Sequence, residues 1–279
     1  MLTAPINKIL PYSVVDGPGN RVAIFVQKCN IHCAYCHNPE TQNLCSACGI
    51  CVAQCPVNAL RLEQGRVVWD ETVCCGCDHC IKVCPNHASP KVTPMTPEQV
   101  FAKVCESIPF IRGITVSGGE CGLYPNFLLQ LFQLAHTEGL SCLMDSNGTI
   151  DLSLYPELMG VCDGVMLDVK SWKEETFRQL TGSGNEIVKK NLSYLAKTQK
   201  LTEIRIVCLP GMVDAEDCIF GIGQTLSREE IARCPLKLIR FRHFGVKGAL
   251  ENHPSPDLEY MNKMKVLAQA QGFEKILIL

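Results

Sequence analysis

The sequence predicts an α/β fold, a partial, TIM-like (β/α)6 barrel with a cysteine-rich segment inserted after its first strand. Three observations lead there. From residue 96 onward, apolar runs of strand length alternate with stretches of helical period. Alternation of that kind implies a parallel sheet with right-handed crossovers. A β-branched run at 21–26 precedes all of this, and between 43 and 92 the periodicity is lost while cysteines recur every three or four residues. The expected organisation is therefore 1–42 as the first part of the barrel, 43–93 as the insertion and 94–279 as the remainder.

In order, strands are expected at 21–26, 113–116, 141–144, 164–169, 203–209 and 237–241, with 275–279 a further one. Helices are expected at 97–107, 125–138, 174–180, 187–198 and 257–271. The first of these has a recognisable start, with Thr96 as N-cap and Pro97 at the first helical position. The barrel reading predicts that active residues gather at the C-terminal ends of the strands. Cys29 follows the first strand, Gly118 and Gly119 the second, and Asp145 the third. Asp168 and Lys170 close the fourth, Arg205 lies within the fifth, and His243 is just past the sixth.

Composition narrows the class. A formal charge of −2 over 279 residues gives no bulk attraction to nucleic acid or to an anionic membrane. No apolar run reaches the roughly 18 residues of a membrane helix, and residues 1–8 lack a secretory signal. A soluble, cytoplasmic protein without nucleic-acid or membrane partners is expected. The 19 cysteines are therefore not a disulfide framework. The scattered Cys105, Cys142, Cys162, Cys208, Cys218 and Cys234 are expected to be small buried apolar residues.

The grouped cysteines need another account. Cys45, Cys48, Cys51 and Cys55 have the spacing C-x2-C-x2-C-x3-C followed by Pro56, and Cys74, Cys77, Cys80 and Cys84 repeat it before Pro85. This is the bacterial ferredoxin run, in which the fourth cysteine of each run ligates the other cluster. One [4Fe–4S] cluster is then expected on Cys45, Cys48, Cys51 and Cys84, and a second on Cys74, Cys77, Cys80 and Cys55. Paired C-x2-C is also the pattern of zinc ribbons, the alternative reading. Cys75 adjoins a ligand, but the repeat favours Cys74.

Cys29, Cys33 and Cys36 form a C-x3-C-x2-C group directly after a strand. Three thiolates saturate only three irons of a cubane, and the nearest further cysteine, Cys45, is used by the ferredoxin run. An open iron can bind a chelating substrate, as an open zinc site does; a zinc site or a closed structural cluster is the alternative.

Asp16-Gly17-Pro18-Gly19-Asn20-Arg21, the run 25–29, the three-cysteine group and His37-Asn38-Pro39 together resemble a known family. The likeness continues through Ser117-Gly118-Gly119-Glu120, Asp145-Ser146-Asn147-Gly148, Asp168-Val169-Lys170 and the run 205–211. It is to the radical S-adenosylmethionine (SAM) enzymes that activate glycyl-radical enzymes, and to the YjjW-type subset with a two-cluster ferredoxin insertion. The resemblance implies three [4Fe–4S] clusters, with SAM chelating the open iron through its amine and carboxylate. Gly118 and Gly119 would let backbone approach the amine. Asp145 and Asp168 would face the amine or a bound monovalent cation, Lys170 would pair with the carboxylate, Arg205 would meet a charged ligand, and Tyr35 would pack on the adenine. Cys29, Cys33, Cys36, Lys170 and Arg205 would carry the catalysis. The structural alternatives are a glycine turn and a rim of salt bridges.

The reaction so implied is reductive cleavage of SAM to methionine and a 5′-deoxyadenosyl radical, which removes hydrogen from a glycine of a partner enzyme. A flavodoxin or ferredoxin would donate the electron. Two departures stand out. Cys121 follows Gly-Gly-Glu where the family more often has a small residue. Phe241-Arg242-His243 puts the late histidine one place later than usual, so His243 reads either as a SAM contact or as a core or rim histidine. The competing readings are a radical SAM enzyme acting on a small molecule or peptide, and a ferredoxin fused to a structural barrel.

Overall fold

A computed structural model describes residues 2–243, 246 and 248–279 of the chain. Eleven strands occur among them: β1 Ala4–Ser13, β2 Arg21–Val26, β3 Leu60–Glu63, β4 Arg66–Trp69, β5 Thr93–Met95, β6 Gly113–Gly118, β7 Ser141–Ser146, β8 Gly164–Asp168, β9 Leu201–Cys208, β10 Leu236–Arg240 and β11 Ile276–Ile278. Nine of them make one sheet in the order β11-β10-β9-β8-β7-β6-β2-β1-β5. From β2 to β11 every neighbouring pair is parallel, while β1 runs antiparallel to β2 and β5 antiparallel to β1. The order does not close on itself, so the barrel is partial, with β5 and β11 as its edges. Each strand expected from the sequence is present within a few residues.

Burial explains why those strands were legible. The middle strands are covered on both faces, and their sequences are near-continuous apolar runs; Val22, Ala23, Ile24 and Val26 of β2 are fully buried. One contiguous core joins them to the helices Pro97–Cys105, Pro125–Thr137, Glu174–Thr181, Glu186–Lys197 and Leu258–Ala270. The first of these has the expected start: Thr96 accepts from the Gln99 N–H and the Gln99 side chain accepts from the Thr96 N–H.

Three kinds of element were not foreseen. β1 carries Pro5 and Pro11 and breaks register twice against β2, which erases its alternation. The helix Ala215–Thr225 contains Gly221 and Gly223, and interior glycine weakens a helical reading. Gly221 is required because a Cβ there would run into the Trp172 indole. The helices Pro156–Val161 and Arg228–Arg233 are too short for periodicity to register. Of the scattered cysteines, five are buried as expected, but Cys105 is exposed, because it ends its helix on the solvent side.

Residues 43–93 are built as a repeat. Two four-residue helices, Ile50–Ala53 and His79–Lys82, flank the antiparallel hairpin β3–β4. In the first run Ala47 and Gly49 have positive φ; in the second, Gly76 and Asp78 do, at the equivalent positions. Cys51, Leu60 and Cys80 form a small buried cluster separate from the main core, with Val67 and Trp69 packed on it.

Candidate functional site

The loop after β2 is fixed by main-chain bonds before any ligand is considered. Buried Gln27 accepts from Asn7 Nδ2 at 2.7 Å and donates to Glu40 O and Asn43 O, both at 2.6 Å. The Lys28 and Cys29 N–H groups donate to Thr41 O at 2.8 Å and Gln42 O at 2.9 Å, zipping the loop closed. His32 and Ala34 N–H donate to Thr181 O and Leu180 O, at the end of the helix Glu174–Thr181. Cys29, Cys33 and Cys36 consequently line one cavity of about 210 Å³. Burial pushes the Cys29 and Cys33 thiols up to about 11 and raises Cys36 as well.

The strand ends supply the rest of the lining: Gly118 and Gly119, Asp145, Asp168 and Lys170, Arg205, and Tyr35 from the loop itself. Sequence reasoning named all of these. Their roles in the structure differ in part. A Cβ on Gly118 would collide with the Val26 main chain and one on Gly119 with that of Lys28. Gly118 also sits at φ +112°, where a side chain is strained. The glycines thus let β6 close onto the cysteine loop, where Gly119 N–H donates to Val26 O and Glu120 N–H to Lys28 O, each at 2.9 Å.

Arg205, inside a strand, needs a buried partner or a charged ligand, and protein partners are at hand. Its Nη1 lies 2.9 Å from Asp145 Oδ2 and its Nε 2.6 Å from Glu203 Oε1. Lys237 reaches Glu203 Oε2 at 2.9 Å. Burial would lower the Arg205 pKa, but Asp145, Asp168 and Glu203 outweigh it and hold the guanidinium charged. Burial raises Asp145 despite Arg205, and Ser117 Oγ donates to its Oδ2 at 2.9 Å. Lys170 Nζ pairs with Asp168 Oδ2 at 2.9 Å and stands 5.8 Å from the Tyr35 ring centre. Burial opposes its charge, and Asp168 and Cys33 more than restore it. Of these groups, Asp145, Arg205, Asp168 and Lys170 line the cavity, as two ion pairs.

His243 is exposed and is not among the lining residues. The histidine that does line the cavity is His37, next to Cys36. Its Nε2 is 3.2 Å from Arg242 O, and its ring lies 6.4 Å from that of buried Phe241. Burial lowers its pKa, which favours the neutral imidazole. Asn147 was also passed over: its Nδ2 donates to Cys29 Sγ at 3.5 Å and to Asn30 Oδ1 at 3.1 Å. Glu120 lies beneath it, fully buried, with Oε2 accepting from the Asn147 N–H at 2.8 Å. Both sat inside motifs noticed in the sequence, but only the fold shows what they touch.

In the 43–93 segment, Cys45, Cys48, Cys51 and Cys84 line one small cavity, and Cys55, Cys74, Cys77 and Cys80 line another, with Cys75 beside them. These are the two sets that the spacing pairs. The Ala47 N–H donates to Cys45 Sγ at 3.4 Å and the Ala59 N–H to Cys55 Sγ at 3.3 Å, so main-chain donors face the sulfurs. At the opposite end of the sheet His136, Cys142 and Asp163 also approach one another. Asp163 Oδ2 there already accepts from the Cys142 N–H and bonds His136 Nε2, so this group is accounted for by packing.

The sequence profile of the Radical SAM superfamily matches residues 23–218. The choline trimethylamine-lyase activating enzyme of Oleidesulfovibrio alaskensis is 30% identical over 80% of this chain and 78% of its own length. The pyruvate formate-lyase-activating enzyme of Streptococcus mutans is 26% identical over 98% of this chain and 94% of its own. Among solved structures, QueE from Escherichia coli superposes with a TM-score of 0.57 at 16% identity, over 99% of this chain and 94% of that one. Among the described residues, no helix is long and apolar enough to cross a membrane.

Proposed function

The chain belongs to the radical SAM superfamily and, within it, to the glycyl-radical enzyme activating enzymes, and from that premise we propose that it generates the glycyl radical of a partner enzyme. The observation that carries the reading is the cavity in which Cys29, Cys33 and Cys36 converge beneath the strand ends, with no fourth cysteine among its lining residues. That donor set fits a [4Fe–4S] cluster with one open iron. Bound there, the cluster and SAM supply a one-electron cleavage to methionine and a 5′-deoxyadenosyl radical.

The chain's own residues do the positioning. Asn147 Nδ2 donates to Cys29 Sγ and steadies one ligand of the set. The Lys170–Asp168 and Arg205–Asp145 pairs offer charge to a zwitterionic ligand along one wall; the carboxylates are also where a monovalent cation would sit. Tyr35, 2% exposed, and Val207 and Ile239 give that wall an apolar part that sheds water around an adenosine. The substrate is a glycine-bearing loop of a protein, which the open strand-end face must admit. His243 stays outside this set.

The two cavities of residues 43–93 are read as sites for two further [4Fe–4S] clusters in a ferredoxin-like insertion, which would take electrons from a flavodoxin or ferredoxin. Support comes from the repeat of positive-φ positions and from main-chain N–H groups facing sulfur. The test is anaerobic reconstitution with SAM and reductant, then mixing with glycyl-radical partners from the same organism. Release of 5′-deoxyadenosine and an α-carbon doublet in the EPR spectrum are expected, both lost in Cys33→Ala. SAM cleavage without a doublet for any such partner would leave a small-molecule substrate instead.

A further inference from the structure

The two halves of the 43–93 repeat are alike in main chain but not in what faces their cysteines. Val67 and Trp69 are two apart on β4, so their side chains share one face of the hairpin. Val67 lines the cavity of Cys45, Cys48, Cys51 and Cys84, and Trp69 lines the cavity of Cys55, Cys74, Cys77 and Cys80. The same strand therefore offers a hydrocarbon to one site and an indole N–H to the other. That N–H is buried and has no hydrogen-bond partner of ordinary geometry among the described residues. An indole donor usually finds a partner when buried, and this one borders the cavity that the four cysteines line. Cys74 lines the same cavity beside it.

Charge does not make the same distinction. Lys91 also lines the Trp69 side, but its Nζ is 2.6 Å from Asp78 Oδ1, which offsets most of its field. The cysteines of both sites span the same range, with one buried in each set and at least one exposed. The indole dipole is what remains. Hydrogen bonds to cluster sulfur raise a reduction potential because they stabilise the added electron.

Resting on the reading that residues 43–93 hold two clusters, we propose that Trp69 is a positioning residue that donates its indole N–H to sulfur at the Cys55/Cys74/Cys77/Cys80 site, making that cluster easier to reduce than its twin. The Val67 cluster is then the stronger reductant. It is also the one next to the open site: His32 Nε2 lies 3.3 Å from Asn43 Oδ1, and Asn43 Nδ2 donates to Asn86 O at 2.9 Å, two residues from both Cys45 and Cys84. Electrons would thus collect on the Trp69 side and be passed inward from the Val67 side.

The test is Trp69→Phe in the full-length reconstituted protein, titrated anaerobically against potential and followed by EPR. One auxiliary midpoint should move to more negative potential while the other stays, with iron content near that of the wild type and SAM cleavage by a chemical reductant retained. In wild type labelled with ¹⁵N-indole tryptophan, the reduced cluster should show a nitrogen and an exchangeable-proton hyperfine coupling; this decides the matter if the variant fails to load. Unmoved midpoints in a fully loaded variant, or absent coupling, would overturn the proposal. Wild-type protein that binds only about four irons would overturn the cluster reading itself, a separate and recognisable failure.

Discussion

Glu120 shows how much of the site hangs on one carboxylate. Its Oε1 accepts from the Gly122 N–H at 2.8 Å and Ser146 Oγ at 2.9 Å, and its Oε2 from the Asn147 N–H at 2.8 Å. These three donors tie the end of β6 to the end of β7 and place Asn147 against Cys29. Burial nevertheless pushes Glu120 from 4.5 up to about 7. The folded state therefore holds this proton longer than the unfolded chain does, and stability falls as pH rises from about 4.5 through about 7. The size is on the order of 3 kcal/mol. In Glu120→Gln the melting temperature should be lower at every pH, because an amide N–H2 must face a donor, and its decline between pH 5 and 7 should be flatter than in wild type. Equal slopes for the two proteins would mean that another group sets the dependence.

Among the elements, the parallel strands are bound together at their N-terminal ends by Arg21 of β2, which is 1% exposed. Its Nε donates to Thr115 Oγ1 at 2.8 Å, and its Nη2 to Ile114 O and Ser141 O, both at 2.7 Å. One guanidinium thus clips β2, β6 and β7, and Gly113 is small because a Cβ there would press on it. Removing the donor strands buried carbonyls, at about 1–3 kcal/mol each. Arg21→Met should cost roughly 3 kcal/mol in urea unfolding, with the site geometry at the far strand ends retained; a loss within about 0.5 kcal/mol would show the carbonyls finding water. Two of the elements that escaped the sequence, β1 and the helix Ala215–Thr225, share a cause. Each carries prolines or glycines that local rules read as breaks, and each is held by neighbours that a local window does not contain.

For the molecule as a whole, the question is how the 43–93 segment serves the barrel. It returns to the sheet through β5, which pairs with the start of β1, and touches the cysteine loop through Asn43, which also bonds Asn86. An electron relay makes a specific demand. Cys48→Ala should lower iron from about twelve to roughly eight per chain. Cleavage of SAM driven by a chemical reductant should persist, while cleavage driven by reduced flavodoxin or ferredoxin should drop at least tenfold. Equal loss with both reductants would point to a structural role for the segment.

Spacing and alternation were enough for the parallel strands, for the three-cysteine loop and for expecting Cys55 beside the second run, because cysteine spacing and strand period are local or nearly so. They could not tell that Gly118 and Gly119 yield to the main chain of Val26 and Lys28, that Asp145 and Glu203 are the counter-charges of Arg205, or that His37 rather than His243 borders the cavity. They could not see Trp69 facing one cysteine set and Val67 the other. Those facts depend on contacts between residues far apart in the chain, and only the folded sheet brings such residues within reach of one another.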